Sequence, residues 1–231
     1  MFNWTQKTLL ELSVSHLRNV LSCCAILALV TLIASFDAQA AGSPAPSSEE
    51  RIRFLLETAK ASAQTEGEAR RQAIIAEYRT FLEEQPDNPL RLKVQGEVAG
   101  AYAWSSPSLT ADLDKSIDLY LDCLNRTSDK PVPYRLEVLR DAVMVALRKD
   151  PAVAEPLAQE LREQSAEGSL ERMVALYGLA RIAETKGNEG EAEVHFVAVV
   201  TYEMDITGLS ASDASAVKSI WTHAATKLQS P

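Results

Sequence analysis

The chain has 231 residues, 46% of them hydrophobic and 24% charged, with a formal net charge of −9. That length suits one domain or one short repeat array, and the sparse Gly (9) and Pro (10) argue against a turn-rich all-β fold and against a disordered chain. Lys7, Arg18, Glu11 and Asp37 cancel within residues 1–40, so the whole acidic excess lies on 41–231. An acidic body repels phosphate backbones, which argues against a nucleic-acid partner.

Residues 19–36 carry no charge, and Lys7 and Arg18 precede them. Ala38, Gln39 and Ala40 follow, then Ala41 and Gly42. A basic start, an apolar run and a small-x-small site predict a signal peptide over 1–40, cleaved after Ala40 with Ala38 at the other small position. The alternative is an uncleaved membrane anchor over residues 20–36, because such an apolar run just reaches the spanning minimum. Either way the positive flank stays inside and the body is exported, to a bacterial-type periplasm or the outer face of the inner membrane. A lipoprotein reading fails, because Cys23 and Cys24 begin the apolar run instead of following it. Residues 41–48 (AGSPAPSS) read as a flexible tether. If the first segment is removed, Cys123 is left alone and reads as a small buried hydrophobe.

From residue 49 to the C-terminus, apolar residues recur at three- and four-residue spacing, the signature of one-sided helices. No period-two run is long enough for a strand. Breaks near Gly67, Pro86, Pro107, Pro133, Pro151, Gly168, Gly187 and Gly208 divide the body into about nine helices. The expected pairs are 50–65 with 69–85, 89–104 with 110–127, 133–148 with 151–166, and 170–186 with 189–204. Short connections make such neighbours helical hairpins. A last helix over about 211–228 remains unpaired, with Ser210 and Asp213 as its capping pair. Pro151 suits a first helical position after Asp150. Pro156 is expected to kink that helix or to move its start to about 156.

Leu176, Leu179, Ala180, Ala183, Gly187, Ala192, Phe196 and Val199 fall where a tetratricopeptide repeat (TPR) places its packing residues. Ala180 stands at the small crossing position, Gly187 at the turn, and Ala192 and Phe196 form the second-helix pair. Met204 stands where the family usually has a closing Pro. The phrase EYRTFLEEQPDNP, with Tyr78, Phe81 and Pro86, resembles the close of a TPR unit. It is also similar to periplasmic TPR proteins of envelope assembly. The middle units are looser: Ala99 and Tyr102 fit a first helix, Tyr120 and Cys123 a second, and 105–109 an insertion. Tyr78, Tyr120 and Phe196 lie 120 − 78 = 42 and 196 − 120 = 76 residues apart, so the array departs from the ideal period of about 34. The resemblance covers residues 49–205 and is specific over about 173–204. It implies an all-α solenoid of about four hairpins with a C-terminal capping helix, within a domain spanning 49–231.

The chemistry-bearing residues form no catalytic or metal pattern. His195 and His223 have no second His or Cys at ligand spacing, and no Gly-x-Ser-x-Gly, phosphate-binding or dinucleotide-binding motif occurs. No cofactor is expected. Carboxylates such as Glu160 and Glu163 flank Arg162 as on a solvated helix face. Asn125-Arg126-Thr127 matches a glycosylation acceptor, meaningful only in a eukaryotic secretory route. The resemblance implies a groove for a protein or peptide, with positions mapping to Val174, Tyr177, Arg181 and Glu184; Trp104, at the end of a first helix, reads either as an exposed anchor or as a core ring. The expected function is thus a non-catalytic, exported protein-binding module. Alternatives are self-association through Val217, Ile220, Trp221 and Leu228, and an enzyme on a helical scaffold.

Overall fold

Nine α-helices and no β-strand make up the described part of the chain, residues 46–128 and 132–229 of a computed structural model. They are α1 (Ser48–Glu66), α2 (Glu68–Glu84), α3 (Arg91–Ala103), α4 (Leu113–Asn125), α5 (Arg135–Ala146), α6 (Pro151–Gln164), α7 (Leu170–Thr185), α8 (Glu189–Val200) and α9 (Ala211–Gln229). The expected helices all form, and their ends shift by a few residues. The last turn expected of α8, to 204, is absent. The expected signal or anchor segment, with Ala38 and Ala40, lies outside the described residues. Among the described residues, no helix is long and apolar enough to cross a membrane.

Short polar side chains start several helices. The Asp112 carboxylate accepts from Lys115 N at 3.1 Å, Asp150 from Ala152 N at 2.8 Å, and Ser169 Oγ from Arg172 N at 3.2 Å. Each satisfies a backbone donor that the first helical turn leaves free. Ser210 and Asp213 cap α9 as expected: Ser210 Oγ accepts from Asp213 N and donates to the Asp213 carboxylate. Pro156 does not divide α6, which runs unbroken from Pro151. The reason is local. Only the bond from position 156 back to Ala152 is lost, the proline ring is exposed, and the Asp150 cap secures the first turn. Gly187 turns the chain between α7 and α8 with φ +75°, a conformation that a side chain would strain.

Every helix packs on its chain neighbours, and the odd-numbered helices also touch in succession: α1 with α3, α3 with α5, α5 with α7, and α7 with α9. The even-numbered helices make no comparable contacts with one another. Two apolar clusters result. One joins α1, α2, α3 and Leu109, and the other runs from α3 to α9. α3 serves both, with Leu92 and Ala99 in the longer cluster and Val94, Val98 and Tyr102 in the shorter. Close approach needs small residues: a Cβ on Gly96 of α3 would lie 2.8 Å from Val138 Cγ2 of α5. Residues 48–231 form one unit.

Candidate functional site

The odd-numbered helices carry a connected strip of charged side chains. On α3, Lys93 and Glu97 stand one helical turn apart and so share a face. Both remain partly exposed on a helix that is otherwise mostly buried. On α5, Glu137, Arg140 and Asp141 occupy the corresponding stretch. Lys93 Nζ lies 2.9 Å from Glu137 Oε1. Arg140 Nε donates to Asp141 Oδ1 at 3.0 Å, and its Nη1 lies 3.5 Å from both Glu171 of α7 and Asp213 of α9. Lys60 of α1 acts electrostatically on Glu97. Charges on all five odd-numbered helices are therefore linked, with Arg140 of α5 reaching both α7 and α9.

Glu97 differs from the rest. Among the described residues, no hydrogen bond or ion pair reaches its carboxylate. It is half-buried on α3, beside Glu137 and Asp141 of α5. Burial pushes its pKa up to about 7, and Asp141 adds repulsion, while Lys93 and Lys60 oppose the rise. Burial also raises the Asp141 carboxyl above its ordinary value, against the pull of Arg140. Glu97 thus titrates at about 7 without a hydrogen bond or ion pair among the described residues, with Lys93 and Lys60 acting on it only electrostatically.

Tyr134 borders the strip with an unusual backbone. Its φ of 65° is the one left-handed conformation of a non-glycine residue among the described residues. Its ring receives the Lys93 ammonium at 5.2 Å from the centroid. Beside it, residues 132–137 and Gln164 line an open hollow of about 500 Å³, to which Glu137 also belongs.

The groove residues expected on the last unit lie elsewhere. Val174 and Tyr177 are only 2% and 8% exposed, and both belong to the long core cluster. α9 packs against α7, and Tyr177 Oη lies 3.2 Å from His223 Nδ1, with the two rings edge to face at 5.6 Å. Arg181 Nη1 donates to Tyr177 Oη at 3.2 Å. The Glu184 carboxylate holds Arg181 at 3.0 Å and Lys227 of α9 at 2.5 Å. Tyr177 and Glu184 thus tie α7 to α9, Val174 lies in the core, and Arg181 and Glu184 stay partly exposed beside that junction. Trp104 is also a core residue, 7% exposed in the first cluster. The expected self-association face is consumed as well. Val217 and Ile220 are buried, and Trp221 Nε1 donates to Val199 O at 3.0 Å; Leu228 stays partly exposed.

Sequence reasoning missed the strip because Lys93, Glu97, Glu137, Arg140 and Asp141 resemble ordinary solvated charges. One signal was present: Glu97 interrupts the run Val94, Gly96, Val98, Ala99 and Ala101, all buried. The lone Cys123 is a buried free thiol, and burial pushes its pKa up to about 11, so it behaves as a hydrophobe. Among the described residues, no group of three or more His, Cys, Asp or Glu side chains is arranged to hold a metal ion. The chain matches no family model, no curated protein and no solved structure.

Proposed function

We propose that the chain is an exported, non-catalytic module that holds a segment of another protein along the inner face of a TPR-like α-solenoid. Four hairpins, α1–α2 to α7–α8, build the stack, and α9 takes the place of a fifth first helix and closes it. The alternating contacts carry this reading: odd-numbered helices follow one another while even-numbered helices do not meet. A curved stack with an inner and an outer row of helices produces that pattern, and such stacks carry ligands on the inner row. The charged strip lies on the row in question. Its surface is read from α3 and α5, since α9 covers the last unit. Export is proposed on the basic, apolar and small-residue pattern of 1–40. The reading requires no cofactor, and both body histidines lie on α8 and α9, away from Glu97 and Asp141.

The test is affinity capture of the tagged exported protein after mild cross-linking, with mass spectrometry of the cross-linked sites. One abundant partner, attached to the odd-numbered helices and lost with Glu137→Lys, is expected. Recovery of the chain alone, or cross-links confined to the even-numbered helices, sinks the groove.

One observation favours a self-associating envelope protein as a second reading. Val194, Val197 and Val200 of α8 are 66%, 44% and 41% exposed and recur every three residues. Sedimentation of the wild type as a dimer, and of Val197→Lys as a monomer, is the result that reading requires.

A further inference from the structure

We propose, building on the groove reading above, that the inner strip receives a basic segment of a partner protein. One Lys or Arg side chain of that segment seats against Glu97, beside Glu137 and Asp141.

The strip contains five carboxylates (Glu97, Glu137, Asp141, Glu171 and Asp213) against Lys60, Lys93 and Arg140. Lys93 is committed to Glu137, and Arg140 to its three carboxylate neighbours. Among the described residues Glu97 has no ion pair of its own, and the distant pull of Lys93 and Lys60 does not offset its loss of hydration on burial. An incoming ammonium or guanidinium supplies the missing partner. A metal ion fits less well, because the described carboxylates do not converge in a metal-holding group. A long side chain brings its charge to a half-buried carboxylate while its backbone stays on the surface and its apolar stem packs against the protein. The net charge of −9, all on 41–231, draws basic segments toward the body over longer distances.

Six groups are coupled electrostatically to Glu97: Lys60 on α1, Tyr78 on α2, Lys93 on its own helix, Tyr120 on α4, and Glu137 and Asp141 on α5. The two tyrosines titrate well above the physiological range and burial also raises the neighbouring Asp141 carboxyl, while Glu97 loses its proton at about 7. Its ionised form is the one that attracts a cation. Binding therefore expels a proton and strengthens as pH rises through about 7.

The experiment uses the purified full chain and short fluorescein-labelled peptides of alternating Lys and Ser, with Glu-for-Lys and Gln-for-Lys counterparts. Anisotropy at low salt is expected to show binding of the Lys peptide alone. Glu97→Gln should weaken it about tenfold and abolish its rise in affinity between about pH 6 and 8. Glu193→Gln, on the exposed side of α8, should leave it unchanged. Circular dichroism of Glu97→Gln establishes that the variant is folded. Equal affinity of the Lys peptide for Glu97→Gln and wild type overturns the inference. So does a preference for the Glu or Gln peptide, or binding of none of the three. Cross-link mapping keeps the two readings apart. A Gln or Glu peptide attached to the odd-numbered helices sinks the cationic ligand and leaves the groove. A peptide attached elsewhere sinks both.

Discussion

Glu97 makes the fold less stable when it ionises, and removing its charge should reveal by how much. Its pKa is about 7 in the folded chain against an ordinary 4.5. The folded state therefore holds a proton that the unfolded chain has released between those values. The group's contribution is fully present below pH 4.5 and is lost as pH rises through about 7. A difference of 7 − 4.5 = 2.5 units corresponds to an upper value of about 3.4 kcal/mol, at about 1.36 kcal/mol per unit. Glu97 keeps some contact with water, which screens its charge, so about 1–3 kcal/mol is the working expectation. Glu97→Gln preserves shape and removes the titration. Urea unfolding from pH 4 to 8.5 should show the variant matching wild type at the acid end and exceeding it by that amount at the alkaline end. A gap that stays constant with pH, or a variant less stable at pH 8, refutes the account of Glu97 as an uncompensated charge.

Burial, Arg181 and Lys227 lower the pKa of His223, so the unfolded chain binds its proton more readily and stability falls as pH drops below about 6.5. Hydrogen exchange of α9 should therefore quicken on acidification, and His223→Leu should lessen that dependence. Gly96→Ala places a methyl group 2.8 Å from Val138 Cγ2, and overpacking of about 1–3 kcal/mol outweighs the gain of about 1 kcal/mol in helix propensity. Chemical denaturation should show a net loss, relieved by adding Val138→Ala. The Tyr78 hydroxyl is buried without a hydrogen-bond partner, so Tyr78→Phe should raise the melting temperature by about 2–4 °C, as expected for roughly 1 kcal/mol in a body of this size. A lower melting temperature would show that the hydroxyl is satisfied after all.

The helices were legible in the sequence because two local rules coincide in it. Apolar residues recur with the helical period, and Gly or Pro marks most ends. Pro156 misled because its rule concerns one hydrogen bond, and the Asp150 cap and the exposed ring allow α6 to tolerate that loss. The binding surface was not legible for a different reason. Spacing shows which residues share a face of a helix, and Val174, Tyr177, Arg181 and Glu184 do share one on α7. It does not show what lies over that face. α9 supplies His223 and Lys227 to it, and a contact between positions 177 and 223 leaves no periodic trace. The same limit hid the strip. Glu97 and Asp141 lie 44 residues apart (141 − 97), and each resembles a solvated charge until α3 and α5 meet across Gly96. Glycine at that crossing lets the two helices approach closely enough to crowd their carboxylates. A residue chosen for packing thus helps set the charge of the surface beside it.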